Sequence, residues 1–173
     1  MRKRTPRRLP WLLLISAAVF GADRLTKMWV EDAIPLGGAI PVIPGFLRLT
    51  HWLNEGAAFS LFADSAAPLT VRWALIAFTC AAALAVFIAL TQLGHQLTVT
   101  TVALALILGG AVGNLHDRID TGSVIDFIEV RIFSYHWPDF NIADSCIVVG
   151  ACLLLADSLV PKKRPAEPET FPL

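Results

Sequence analysis

Apolar residues in this chain neither alternate nor recur at simple helical spacing over most of its length; they run on. From Trp73 to His116 there are 44 consecutive residues without Asp, Glu, Lys or Arg. A bilayer-crossing helix needs about 20 apolar residues, so this stretch predicts two spans, about 69–90 and 97–115, turning at the polar step Thr91–Gln96. Two more apolar runs, about 11–29 and 142–160, predict a first and a last span. Trp11 and Trp29 bracket the first as interfacial anchors. The segments between spans one and two (about 30–68) and between spans three and four (about 116–141) are long. Within them 40–52 is rich in β-branched and aromatic residues punctuated by Pro and Gly, and 124–133 alternates as a strand does. The predicted fold is an all-α polytopic membrane protein: four transmembrane helices, with a small β element and a short helical segment on the outer face.

Composition narrows the class. Charged residues make up 16% of the chain and hydrophobic ones 55%, whereas a soluble domain is roughly a quarter charged. A soluble globular protein, a disordered chain and a strongly charged nucleic-acid binder are excluded. Net charge is zero, yet eight of the fourteen basic residues are terminal: Arg2, Lys3, Arg4, Arg7, Arg8, Lys162, Lys163 and Arg164. Four spans place both termini on one side, and the positive-inside rule makes that side the cytoplasm. Residues 161–173 then form a short cytoplasmic tail. A basic start before an apolar run resembles a cleavable leader, but cutting after Ala22 would put bulky Phe20 three positions back, so the first span is expected to be retained. Cys80, Cys146 and Cys152 lie in apolar runs with neither CxxC spacing nor a His nearby, which points to no metal site.

The polar residues at span ends carry the candidate chemistry, because burying them is costly unless they are paired. Asp23 and Lys27 close span one, Asn114, Asp117 and Arg118 close span three, and Asn141 and Asp144 open span four; Asn54 and Asp126 lie in the outer segments. All belong to the same predicted face. Several have structural readings of their own. Asp23 and Lys27 have the favourable order for an i,i+4 ion pair, Asn141 and Asp144 the spacing of a capping box, and Asp117 and Arg118 that of a surface pair. Asp126 is different. As a strand residue it shares a face with Val124, Ile128, Val130 and Ile132, and such surroundings disfavour ionisation. A carboxylic acid held neutral beside a second one held charged is what general acid–base chemistry requires. On residue types alone Asp117 is a rival for that role, with Arg118 beside it as a ready counter-charge.

Five strings in order, DRLTK (Asp23–Lys27), NEGAAFS (Asn54–Ser60), GNLHDR (Gly113–Arg118), VIDFI (Val124–Ile128) and FNIAD (Phe140–Asp144), resemble the prolipoprotein signal peptidases, or signal peptidase II, a family of membrane aspartyl proteases. The resemblance covers nearly the whole chain, making 1–173 a single membrane-embedded peptidase domain; Arg24, Glu55, His116 and Ile142 fall where variation is expected. It implies a catalytic pair, Asp126 and Asp144, with Asn54, Asn114, Asp117, Arg118, Asn141, Asp23 and Lys27 supporting the site or binding substrate. It also implies the substrate, a diacylglyceryl-modified prolipoprotein cut before the modified cysteine. No cofactor, metal or nucleic acid is implied; the expected partners are substrate and membrane lipid, and the expected state is a monomer in the bacterial inner membrane. The competing reading is a small four-span transport or proton-relay subunit, which predicts acids near mid-membrane rather than at helix ends.

Overall fold

The structure, a computed structural model, describes residues 8–56 and 68–160. Expectations for 1–7, for Ala57–Ser60 of the second string and for the 161–173 tail lie outside the described residues. Among the described residues there are four long helices: α1 (Leu9–Ala33), α2 (Pro68–Leu93), α3 (Val99–Asp120) and α4 (Ile142–Leu159). Each is long and apolar enough to cross a bilayer. The helices overrun the apolar runs that predicted them. α1 extends to Ala33 and α3 to Asp120, because the end of an apolar stretch marks a change of solvent, whereas helix ends are set by capping. Asp117 and Arg118 are therefore on α3, with Asn114, rather than in a following loop.

α3 ends where Gly122, at φ +93°, donates its N–H to the Asp117 carbonyl. A side chain there would also collide with the Arg72 guanidinium, 2.7 Å from where a Cβ would stand, and Arg72 itself donates to the carbonyls of Arg118 and Ile119. At its start, α3 is closed by a reciprocal capping box between Thr98 and Thr101.

α3 is the central helix and packs against α1, α2 and α4. In lipid the hydrophobic effect does not drive helices together, so close approach over small residues must. A Cβ on Gly109 would stand 2.6 Å from the Ser16 carbonyl of α1, and one on Gly110 would stand 2.4 Å from the Ala143 carbonyl of α4. These glycines set the depth at which α1 and α4 lie against α3.

At the end of the bundle where α1 and α3 finish and α4 begins lies one antiparallel sheet of order β1–β2–β3–β4, comprising β1 (Ala39–Ile43), β2 (Leu47–Asn54), β3 (Val124–Ile132) and β4 (Tyr135–His136). The two segments with strand-like composition are thus strands. The short helical segment expected on this face is not found among the described residues. Ile125 and Phe127 of β3 pack on Val30 and Ile34 of α1, which docks one face of β3 against the bundle and leaves Asp126 on the other.

Candidate active site

The nine residues singled out in the sequence meet at the sheet end in one connected network. Asp126 is 4% exposed. Its Oδ2 accepts from Asn54 Nδ2 at 3.0 Å and its Oδ1 from Asn141 Nδ2 at 2.8 Å. Asn141 Nδ2 also lies 3.2 Å from Asn114 Oδ1. Asn114 turns its own Nδ2 to Asp144 Oδ1 at 2.7 Å. Two carboxylates from a strand and a helix start are therefore linked through two asparagines.

The capping box is present as its spacing suggested. Asn141 Oδ1 accepts from the Asp144 N–H at 2.9 Å, and Asp144 Oδ2 accepts from the Asn141 N–H at 3.3 Å. That leaves Asp144 Oδ1 facing Asn114. The i,i+4 pair is present too, and larger than expected. Lys27 Nζ, fully buried, lies 2.8 Å from Asp23 Oδ2 and 2.6 Å from Asp117 Oδ2. It also donates to Asn114 Oδ1 at 3.3 Å. Asp23 Oδ1 in turn accepts the Ala143 N–H at 2.9 Å, tying α1 to the first turn of α4. Asp117 is thus held by Lys27, with Arg24 3.6 Å from its other oxygen. Arg118, its sequence neighbour, turns elsewhere and donates to the carbonyls of Asn114 and Gly56.

Asn54 reaches Asp126 because of a β-bulge. Leu49 pairs with Ile128 but Trp52 pairs with Asp126, so β2 carries one extra residue at Thr50–His51. Residues directly opposite one another point to the same face; with the bulge, Asn54 lies opposite Val124 and shares the face of Asp126. An unbulged register would turn it to the other side. Both bulge residues are buried and anchored: Thr50 donates to Asp139 Oδ1 at 2.5 Å, and His51 Nδ1–H donates to the Ile34 carbonyl at 2.8 Å. Sequence reasoning had no means of finding this bulge, nor the Gly56 backbone, which takes the Arg118 bond on its carbonyl and gives its N–H to Asn54 Oδ1.

Burial pushes the Asp126 carboxyl up from 3.8 to about 7; the Asn54 hydrogen bond opposes this, the Asp144 charge adds to it, and the Asn141 bond opposes it again. Glu129, on the same strand, goes the other way. Burial works against its ionisation, but hydrogen bonds from Arg48 and Arg131 outweigh it and hold the group below its ordinary value.

Four bilayer-length helices among the described residues, closed at one end by a buried network that links two carboxylates, define a polytopic membrane protein. Comparison with known proteins agrees. A family profile described as signal peptidase (SPase) II matches residues 15–160. The lipoprotein signal peptidase of Pseudomonas putida is 46% identical over 157 residues, covering 90% of each chain, and that of Solibacter usitatus is 42% identical over 155 residues, covering 88% of this chain and 92% of its own. A solved structure described as a bacterial membrane enzyme superposes with a TM-score of 0.73 at 30% identity, over 96% of this chain and all of that one. The chain belongs to the signal peptidase II family and is a membrane aspartic protease.

Proposed function

We propose that this protein removes signal peptides from prolipoproteins, cutting before the diacylglyceryl-modified cysteine, with Asp126 and Asp144 as the catalytic pair. The observation that carries this is the coupling of the two acids through Asn141 and Asn114, with Asp126 buried and its carboxyl raised to about 7. Two ionised carboxylates close together in a poorly screened site repel each other, and keeping one of them protonated relieves this. Asp126, in its apolar surroundings, holds that proton. Asp144 takes the base role, since it stands in the first turn of α4, where the helix N-terminus favours negative charge.

In the reaction, Asp144 accepts a proton from water as the water oxygen adds to the scissile carbonyl, and Asp126 donates its proton to the carbonyl oxygen. Collapse of the tetrahedral intermediate expels the amine, which takes up the proton held on Asp144 while the hydroxyl proton returns to Asp126. Asn54, Asn114 and Asn141 fix the acids, and Arg118 fixes the Asn54–Gly56 segment beside them. The lopsided basic termini orient the sheet end toward the periplasm. A lipid-bearing substrate then enters from the bilayer at the depth where acyl chains meet water.

Asp117 does not share this role, because Lys27 already holds it in a buried ion pair. The test is cleavage of a lipid-modified precursor by purified wild type, Asp126→Asn, Asp144→Asn and Asp117→Asn, expressed per folded molecule. The first two variants lose activity by about 10²–10⁴-fold. Folded Asp117→Asn keeps far more. Full activity in Asp126→Asn with loss in folded Asp117→Asn would overturn the assignment.

A further inference from the structure

A second site lies on the far side of α3, between α1 and α2. α1, α2 and α3 enclose a cleft of about 420 Å³ whose lining is apolar, with Ala17 and Phe20 from α1, Leu84 and Phe87 from α2, and Gly109 and Val112 from α3. It is closed at the end away from the sheet. There the Arg8 N–H meets the Gly94 carbonyl at 2.9 Å, and Leu12 and Leu90 are fully buried. The Ser16 hydroxyl is satisfied by the Ala105 carbonyl at 2.8 Å, so it presents no free donor to the cleft.

The cleft has a polar head. On α1 the lining positions 13, 17 and 20 continue at helical spacing to Arg24, and on α3 the positions 109 and 112 continue to His116. His116 stacks on Phe20 with ring centroids 5.8 Å apart. The Arg24 side chain is 27% exposed, and its nearest acid is Asp117 Oδ1 at 3.6 Å, beyond hydrogen-bond distance. Among the described residues, Arg24 makes no side-chain hydrogen bond, and His116 Nδ1 and Asp117 Oδ1, 3.8 Å apart, are both buried without one. The one carboxylate facing both groups, Asp117, is 1% exposed: its Oδ2 is taken by Lys27 at 2.6 Å, and its Oδ1 lies 3.6 Å from Arg24 and 3.8 Å from His116 Nδ1, beyond hydrogen-bond distance of either. An arginine within a membrane-spanning helix is costly without an acceptor.

We propose that this cleft binds one membrane phospholipid, with an acyl chain lying between α1 and α2 and its phosphate on Arg24 and His116. The cleft is small for a helix about 10 Å across, of which 420 Å³ holds roughly one turn. A single flexible chain fits. A guanidinium with free donors matches a phosphate oxygen pair in geometry as well as charge. The site shares no residue with the Asp126–Asp144 pair, so the proposal stands apart from the catalytic reading.

The full-length protein, delipidated in detergent, is titrated with dioleoylphosphatidylglycerol or with dioleoylglycerol, which has the same chains and no phosphate, and bound lipid is counted by native mass spectrometry. Wild type retains one phosphatidylglycerol and prefers it by about tenfold or more, the scale of a charge-assisted phosphate contact. The double variant Arg24→Gln, His116→Gln loses that preference while still admitting the chains. Ala17→Phe fills the cleft and removes tight binding of both lipids; Val112→Phe does so from α3 and serves if Ala17→Phe does not fold. An unchanged preference in the double variant overturns the proposal. So does full lipid retention in a folded cleft-filling variant, or displacement of the lipid by lipid-modified precursor, which would make the cleft part of the substrate path.

Discussion

Replacing Asp126 by asparagine should move stability and activity in opposite directions above neutral pH. In the unfolded chain this carboxyl ionises near 3.8, and in the folded protein near 7. The folded state therefore holds its proton more tightly than the unfolded one. Stability is undiminished below about pH 4 and declines as pH rises through the window to 7, where each unit favours unfolding by about 1.4 kcal/mol. Between pH 5 and pH 8 wild type thus loses about 3 kcal/mol of stability on this account, and the Asp126→Asn variant, whose amide does not titrate, loses none. The variant carries a separate, pH-independent handicap. Asn54 and Asn141 each donate to one oxygen of Asp126, whereas an asparagine offers one oxygen and one amide, so one donor faces another at a cost of about 1–3 kcal/mol. The variant should melt below wild type at pH 5 and at or above it at pH 8, while inactive throughout. Thermal unfolding of both purified proteins across that range is the measurement. A melting difference that is the same at pH 5 and pH 8 would refute the argument, since it would mean that Asp126 titrates alike in both states.

Wild-type kcat/KM should fall about tenfold per unit above pH 7 as Asp126 loses its proton, and Asn54→Ala, which removes a bond favouring the carboxylate, should move that limb to higher pH. Lys27→Met strands Asp23 and Asp117 as buried acids without their cation; a loss of about 3–5 kcal/mol is expected, read as a fall in melting temperature. Gly110→Ala forces a methyl against the Ala143 carbonyl and displaces the start of α4, costing about 1–3 kcal/mol, whereas Gly21→Ala, with nothing within 4 Å of the new methyl, should melt at or slightly above wild type. Asn141→Ser keeps an N-cap oxygen but cannot donate to Asp126, so cleavage should drop far more than melting temperature; parallel losses would count against a positioning role.

The spans were legible because a bilayer imposes one requirement, a long apolar run, and the 44 uncharged residues leave no other reading. The spacing of Asp23 with Lys27 and of Asn141 with Asp144 was legible too, since helical neighbours and capping partners lie three or four residues apart. What could not be read was whatever depends on a partner distant in sequence. Lys27 lies within reach of Asp117 where α1 and α3 approach closely, as they do at Gly109. Asn54 reaches Asp126 only through a bulge defined by pairing with another strand. A single misplaced residue in β2 inverts its faces, and composition does not fix that register. The Gly56 backbone was invisible for a further reason: main-chain donors and acceptors are the same at every residue.

The helix cap and the proposed catalytic pair draw on the same residues. A capping box normally exists to satisfy the orphan N–H groups of a helix start, and here it does so with Asn141 and Asp144. The same exchange uses one oxygen of Asp144 and leaves the other toward Asn114, while the Asn141 amide, held in place by the Asp144 N–H on its oxygen, directs its nitrogen at Asp126. The helix cap thereby fixes the relative position of two acids on different elements. Lys27 acts at the next remove: by donating to Asn114 Oδ1 it determines which end of that amide meets Asp144. For the proposed pair the separation matters, because Coulomb repulsion changes with every ångström in a poorly screened site. Placing the pair on a cap, a bulge and a buried ion pair makes its geometry follow from interactions that the fold requires in any case.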